Sequence, residues 1–194
     1  MSWEDLHPND LNYPSRAMND IAVIFYSRSG TTRLAAQMLA DRLDCPLFEV
    51  EDAVSRAGFR GDLRCVFDNL LRRHVPYRYA GPPLSEYANL VFMAPVWVGH
   101  LAAPMRSFLR DQRPFTPGVA AAAVMAARGG FRAAEEIAEA LGRPPHPVIV
   151  LLQRDVVSGD ARADIDAFAT ALISQPTTDP GVSRRPAWLS PNEA

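Results

Sequence analysis

The most informative absence in this sequence is that of lysine, because all 20 of its basic residues are arginine. A phosphate-binding loop of the Walker type uses a lysine, so ATP or GTP binding of that kind is excluded. Catalysis through a lysine Schiff base is excluded for the same reason. The formal net charge of −2 is too small to indicate a nucleic-acid partner.

Cysteine and histidine are scarce and scattered. The two cysteines, Cys45 and Cys65, lack the spacing of a metal site or of a redox pair, so we expect both to be reduced packing residues. No two of the four histidines stand at the spacing of a zinc site. The sequence therefore predicts no bound metal.

Long apolar runs are also missing. The longest, residues 119–127, falls far short of the ~20 residues that cross a bilayer. The N-terminus is acidic and lacks an apolar segment, so it does not read as a signal peptide. These features predict a cytoplasmic protein without membrane contact.

What the sequence does contain is a regular alternation of strand-like and helical segments. Short, nearly continuous apolar stretches of this kind belong to a parallel sheet that is covered on both faces. The pattern predicts a three-layer α/β domain with a doubly wound five-stranded parallel sheet in the order 2-1-3-4-5. The predicted strands are residues 21–26, 47–50, 89–94, 119–127 and 147–152.

The predicted domain spans residues 20–175. Residues 1–19 contain proline and polar residues without periodicity and are predicted to form an extended arm. The proline-rich residues 176–194 are predicted to form a C-terminal tail. Within the domain we expect a helix over residues 62–73 and a rigid loop over residues 76–83.

The clearest functional signal lies between the first predicted strand and the first predicted helix. The glycine of this segment permits a tight turn, and the free N–H groups and dipole of the following helix favour an anion. A helix cap needs one hydroxyl, whereas this segment carries four, so it predicts a phosphate site. Its residues are Ser27, Arg28, Ser29, Gly30, Thr31 and Thr32.

Two further loops follow the predicted third and fourth strands. In a doubly wound sheet, loops at the carboxyl ends of neighbouring strands meet at one edge, where ligands bind. The loop after the third strand contains Pro95, Val96, Trp97, Val98 and Gly99. The loop after the fourth contains Ala127, Arg128, Gly129 and Gly130.

Taken together, the three loops resemble those of flavodoxin-like proteins. Residues 27–32 are similar to the phosphate loop of that family, which has serine or threonine at its first, third and sixth positions around a glycine. Residues 94–99 look like the loop that packs against the flavin ring, and residues 127–130 stand where the family has its third cofactor loop. The resemblance covers about residues 20–175 and extends to residues 55–64, which are similar to a segment of some bacterial members.

The resemblance implies FMN as the cofactor. Residues 27–32 would bind its phosphate, and residues 95–99 and 127–130 would enclose its ring. It also implies that Gly99 lets the backbone turn toward the proton on flavin N5. No acid–base catalytic residue is predicted, and we expect His100 and Arg28 to face solvent.

The leading functional prediction is an NAD(P)H-dependent FMN oxidoreductase that acts on small acceptors such as quinones. The third loop lacks the acidic residues and tyrosine that long flavodoxins place there, and the small net charge does not suit a carrier steered onto basic reductases. A one-electron-carrier flavodoxin and a flavin-free interaction module are the alternatives. A phosphorylation receiver shares the topology but needs a lysine. The expected partner is NAD(P)H or a redox protein, and a homodimer is left open.

Overall fold

A computed structural model of the protein describes residues 20–53 and 73–174. The predicted N-terminal arm and C-terminal tail lie outside the described residues. So do the segment 55–64 and all but the last residue of the predicted helix over residues 62–73.

A seven-stranded sheet forms the centre of the described part. Its parallel strands stand in the order β2-β1-β4-β6-β7, which is the predicted order 2-1-3-4-5, and the α/β fold class is confirmed. The strands are β1 Ile21–Phe25, β2 Leu47–Asp52, β3 Tyr77–Tyr79, β4 Asn89–Trp97, β5 His100–Leu101, β6 Gly118–Met125 and β7 Val148–Leu152.

The two short strands were not predicted. The expected loop over residues 76–83 contains β3, which pairs antiparallel with the edge strand β2. Its two tyrosines, Tyr77 and Tyr79, are half-buried and place their rings 5.4 and 4.9 Å from that of Phe108. The prolines on either side of this strand obscured its aromatic alternation. Strand β4 continues through residues 95–97, which were predicted to be a loop, and pairs antiparallel with β5.

Helices cover both faces of the sheet, as the predicted three layers require. They are α1 Thr31–Leu43, α2 Ala103–Asp111, α3 Gly130–Leu141, α4 Gln153–Ser158 and α5 Arg162–Ser174. A short helix, α4, precedes α5, and Gly159 separates the two with a positive φ of 87°. Only glycine adopts such a conformation at little cost.

The strands divide their side chains between two cores because successive residues point to opposite faces. In β1, Ala22 and Ile24 join the core under α2 and α3. Val23 and Phe25 join the core under α1 and α5. Both sets are buried, which explains why the strand reads as one continuous apolar run.

Cys45 lies at the end of α1 as a free, half-buried thiol. Burial, with a smaller contribution from Asp44, raises the pKa of the thiol to about 11. At neutral pH it therefore stays protonated and is a poor nucleophile. This agrees with the predicted packing role. Cys65 lies outside the described residues.

We predict that Phe92→Ala lowers the free energy of unfolding by about 3–5 kcal/mol, the usual cost of emptying a buried aromatic site. Phe92 is 0% exposed at the centre of the sheet, and its ring lies 5.9 Å from that of Phe115. The control is Val157→Ala, because Val157 is 67% exposed. Equilibrium urea denaturation measures both, and equal losses would contradict the assignment of Phe92 to the core.

Candidate functional site

The three loops singled out in the sequence meet at one edge of the sheet. They follow β1, β4 and β6, three adjacent parallel strands whose carboxyl ends lie side by side. The edge is also the point where the strand order reverses, with β1 leading outward to β2 and β4 leading to β6. In open α/β sheets this position is where ligands bind.

The first loop ends in the N-terminus of α1. Gly30 caps the helix with a φ of 90°, a left-handed conformation that suits glycine. The first intrahelical bond runs from Leu34 N to Gly30 O, at 2.9 Å, so the N–H groups before Leu34 have no intrahelical acceptor. The hydroxyl residues Thr31 and Thr32 are 9% and 2% exposed. The loop thus presents donors of a helix N-terminus beside buried hydroxyls.

Ser27 supplies the most specific observation at this edge. Its Oγ is buried and has no hydrogen-bond partner in the described part of the chain. A buried hydroxyl without a partner costs about 1–3 kcal/mol, and such groups are rare in folded proteins. A ligand that accepts a hydrogen bond at this point would remove that cost.

The second loop is a tight hairpin between β4 and β5. Trp97 pairs with His100, and the two residues between them, Val98 and Gly99, have φ values of 52° and 77°. Positive φ at both central residues defines a type I′ turn. Valine is an unusual residue for this position because its branched side chain strains a left-handed backbone.

The Trp97 ring connects the first two loops. The Arg28 guanidinium carbon lies 5.6 Å from its centroid, at cation–π distance. Arg28 is exposed, as expected, although it covers the indole rather than extending freely. Tyr26 also contacts Trp97, in a T-shaped arrangement with a centroid distance of 5.8 Å, and the Tyr26 hydroxyl donates to Asp52 Oδ2 at 2.8 Å.

The third loop touches the second through two glycines. A Cβ added to Gly129 would lie 2.6 Å from Gly99 Cα, and Gly129 has a φ of 94°. A Cβ on Gly130 would lie 2.2 Å from Val150 Cγ1. At both positions the neighbouring atoms therefore leave no room for a Cβ, so glycine is required. Ala127 and Arg128 are exposed at the tip of the loop.

Sequence reasoning missed a fourth contributor, Gln153. It is the first residue of α4, and its Nε2 donates to Thr31 Oγ1 at 3.3 Å. A cavity of about 490 Å³ opens beside it, lined also by Ala126, Arg154 and Val157. No motif marks Gln153, and its position directly after β7 is the one sequence signal that could have found it.

His100 was predicted to be a surface residue, and this is wrong. Its side chain is 13% exposed, and its Nδ1 lies 2.5 Å from Oε1 of Glu136, which is itself buried. The contact with the buried Glu136 accounts for the small exposure of this side chain.

Two negative observations apply to residues 20–53 and 73–174. This part of the chain brings no three potential metal ligands into one group. None of its helices has the length and apolar character that a bilayer crossing requires.

Comparison with solved structures places this architecture among flavodoxin-like proteins. A flavoprotein from Lactobacillus acidophilus, in complex with FMN, matches with a TM-score of 0.61 at 17% identity, over 72% of this chain and 97% of its own. A protein from Bacteroides uniformis, classed provisionally as a flavoprotein, gives 0.66 at 16% identity, over 78% and 98%. A Fusobacterium nucleatum flavodoxin bound to flavin mononucleotide gives 0.51 at 10% identity, over 78% and 95%.

No protein-family model matches the chain, and no curated protein matches it in sequence. At these low identities the structural matches establish the fold, and they confirm the flavodoxin-like architecture predicted from the loops. What the edge of this sheet binds must be argued from its own residues.

We predict that Gly129→Ala destabilises the protein more than Gly142→Ala. Both glycines have positive φ, 94° and 76°, so both variants lose about 1–2 kcal/mol from backbone strain. A Cβ on Gly142 meets nothing within 4 Å, whereas one on Gly129 meets the Gly99 backbone. Overpacking should add about 1–3 kcal/mol for Gly129 alone. Urea denaturation measures the free energy of unfolding of both variants. Equal values would show that the second and third loops do not touch.

Proposed function

We propose that the protein binds FMN at the carboxyl edge of the sheet, with the phosphate on residues 27–32. The observation that carries the proposal is the buried, unpartnered Oγ of Ser27 beside the N-terminus of α1. A phosphate would accept a bond from this hydroxyl and from the free N–H groups of the helix, and the helix dipole favours its charge. The residues present therefore fit the cofactor.

The ring of the cofactor would lie against the hairpin and the third loop. Trp97 supplies an aromatic face, and contact with such a face contributes about 0.5–1.5 kcal/mol. Charge-assisted bonds to the phosphate contribute about 1.5–3 kcal/mol each. The phosphate end should consequently dominate the affinity.

When bound, FMN would supply the electron-transfer chemistry, and the protein would position it and tune its potential. Arg128 is the one charged residue in the third loop, and its positive charge would stabilise negative charge on the ring. The loops at residues 95–99 and 127–130 contain no acidic side chain that would oppose it. This arrangement favours two-electron turnover.

The more specific role we propose is an NAD(P)H-dependent reductase of small acceptors such as quinones. An anionic dinucleotide suits the arginines around this edge, where Arg154 borders the cavity beside Gln153 and Arg128 stands in the third loop. The small net charge of −2 supports the same role, since it does not suit a carrier steered onto basic reductases. No side chain is proposed as an acid or base.

A one-electron carrier is the second candidate, and one observation favours it. Val98 and Phe131 are 59% and 60% exposed, and each lies within two residues of the contact between Gly99 and Gly129. Exposed apolar side chains beside a redox site suit docking of a protein partner.

We predict that Ser27→Ala weakens FMN binding by about 10-fold or more, equivalent to one lost hydrogen bond to a charged group. Riboflavin, which lacks the phosphate, should bind the variant as well as it binds the parent protein. The exposed serine Ser85, in the short 3₁₀ helix at the opposite end of β4, gives the control Ser85→Ala. Calorimetric titration of each apoprotein measures the constants. Equal losses for both ligands would place the phosphate elsewhere.

The reductase role predicts that NADH or NADPH bleaches the flavin absorbance between 350 and 500 nm under anaerobic conditions. Addition of a quinone should restore it, since the acceptor reoxidises the cofactor. Arg128→Ala should slow this reaction by a larger factor than it weakens FMN binding, since the oxidised ring carries no charge for Arg128 to stabilise. If neither nicotinamide reduces the flavin but a reduced redox protein does, the carrier role is correct. A purified protein that takes up no flavin would contradict both redox roles, and the flavin-free interaction module would be the remaining alternative.

A further inference from the structure

A buried ionic pair lies under the hairpin that β4 and β5 form. Arg106 of α2 is 1% exposed and Glu136 of α3 is 4% exposed, and Arg106 Nη1 lies 3.6 Å from Glu136 Oε2. We call these two residues the hairpin clamp. Burying charge is unfavourable unless the charges are paired and hydrogen-bonded. Since neither residue belongs to the three loops, the clamp needs an explanation of its own.

The clamp holds both backbone polar groups of one residue in β5. The Leu101 N–H donates to Glu136 Oε2 at 3.1 Å, and its C=O accepts from Arg106 Nη1 at 3.2 Å. Glu136 Oε1 also lies 2.5 Å from Nδ1 of the neighbouring His100. Among the described strands β5 pairs with β4 alone. The clamp therefore takes the place of a further strand along the outer edge of β5.

The turn that precedes β5 has a conformation that does not suit its sequence. Val98 and Gly99 both have positive φ, 52° and 77°, as in a type I′ turn. The dipeptide Val-Gly suits a type II turn, in which only the second residue needs positive φ. A strained conformation of this kind persists where the surrounding structure over-determines it.

Contacts on three sides over-determine this turn. The clamp holds β5 from outside, and within the hairpin the Ala102 N–H donates to the Pro95 C=O at 3.2 Å. At the tip, the Gly99 backbone packs so closely on Gly129 that a Cβ there would lie at 2.6 Å. Helix α3 carries Glu136 and begins directly after Gly129. One helix thus sets two of the three contacts.

We propose that Glu136 and Arg106 are positioning residues for the flavin site, because they hold the Val98–Gly99 turn in its left-handed conformation and so fix the backbone groups that meet the FMN ring. This rests on the FMN site proposed above. Loss of the clamp releases the turn toward type II and reorients the peptide between the two residues. The phosphate loop is unaffected, so the clamp acts on the potential and on the ring's share of the affinity.

The surroundings of the clamp allow it to be altered without loss of the fold. A cavity of about 400 Å³ between α2 and α3 borders Arg106 and Glu136 and is lined also by Arg110, Arg113 and Glu139. A polar cavity of this size admits water. Water can therefore hydrate the groups that Glu136→Gln leaves without their charged partner.

Two pairs of matched variants test the proposal in the FMN-loaded full-length chain. Glu136→Gln removes one charge of the clamp, and Glu135→Gln removes a neighbouring exposed charge from the same helix. Val98→Pro sets φ near about −65° and forces the turn out of its left-handed form while the clamp stays intact. Val98→Asn keeps the left-handed form at lower cost. The measurements are the midpoint potential of bound FMN and the dissociation constants of FMN and riboflavin.

We expect Glu136→Gln and Val98→Pro to shift the midpoint potential in the same direction. Both should weaken FMN and riboflavin alike, by about 3–10-fold, because the ring contacts change and the phosphate contacts do not. Glu135→Gln should match the parent protein, and Val98→Asn should shift the potential less than Val98→Pro because it keeps the left-handed turn. A phosphate-loop variant such as Ser27→Ala weakens FMN alone, so the two kinds of effect are separable.

The proposal is overturned if Glu136→Gln and Glu135→Gln have the same potential, whether or not Val98→Pro shifts it. If Glu136→Gln does not fold, Val98→Pro still tests whether the conformation of the turn sets the potential and the ring contacts, on which the proposal depends, since Val98 is 59% exposed. An unchanged potential and riboflavin affinity in that variant would then overturn the proposal. A parent protein that binds no flavin overturns the proposed function itself, and this inference with it.

Discussion

Burial of both faces of the central parallel sheet is the constraint on which the rest of this structure depends. Each inner strand sends alternate side chains into two separate cores, so helices must cover both sides. Polar chemistry is then confined to the ends of the strands, where the loops emerge. At the carboxyl edge three of these loops come into contact, through Arg28 with Trp97 and Gly99 with Gly129, although they are far apart in sequence. The candidate site follows from the topology.

Features of this protein that depend on local sequence were predictable. The β-prone run before Ser27 and the hydroxyl-rich turn after it are each a property of consecutive residues, and the structure has a strand and a helix N-terminus there. The same holds for the order of the parallel strands, because alternating strands and helices leave few topologies open. The sequence shows two glycines at residues 129 and 130 but does not show why glycine is required there. The close approach to Gly99 and Val150 is a tertiary fact.

The features that sequence reasoning missed depend on pairing at a distance. Strand β3 exists because its tyrosines pack on Phe108, and no local period in that proline-rich stretch indicates it. His100 looked like a surface residue because its partner, Glu136, lies on another element and reads as one more exposed glutamate of an amphipathic helix. The hairpin was missed because its own residues argue against it. Pro95 argued against a strand, and Val98 is a poor residue for a left-handed turn.

Helix α3 supplies two of the contacts that hold the hairpin. The residue before its first turn, Gly129, packs against the hairpin tip, and Glu136, about 10 Å further along at 1.5 Å per residue, contacts the hairpin base. A displacement of this helix would change the contacts at the tip and at the base of the hairpin together.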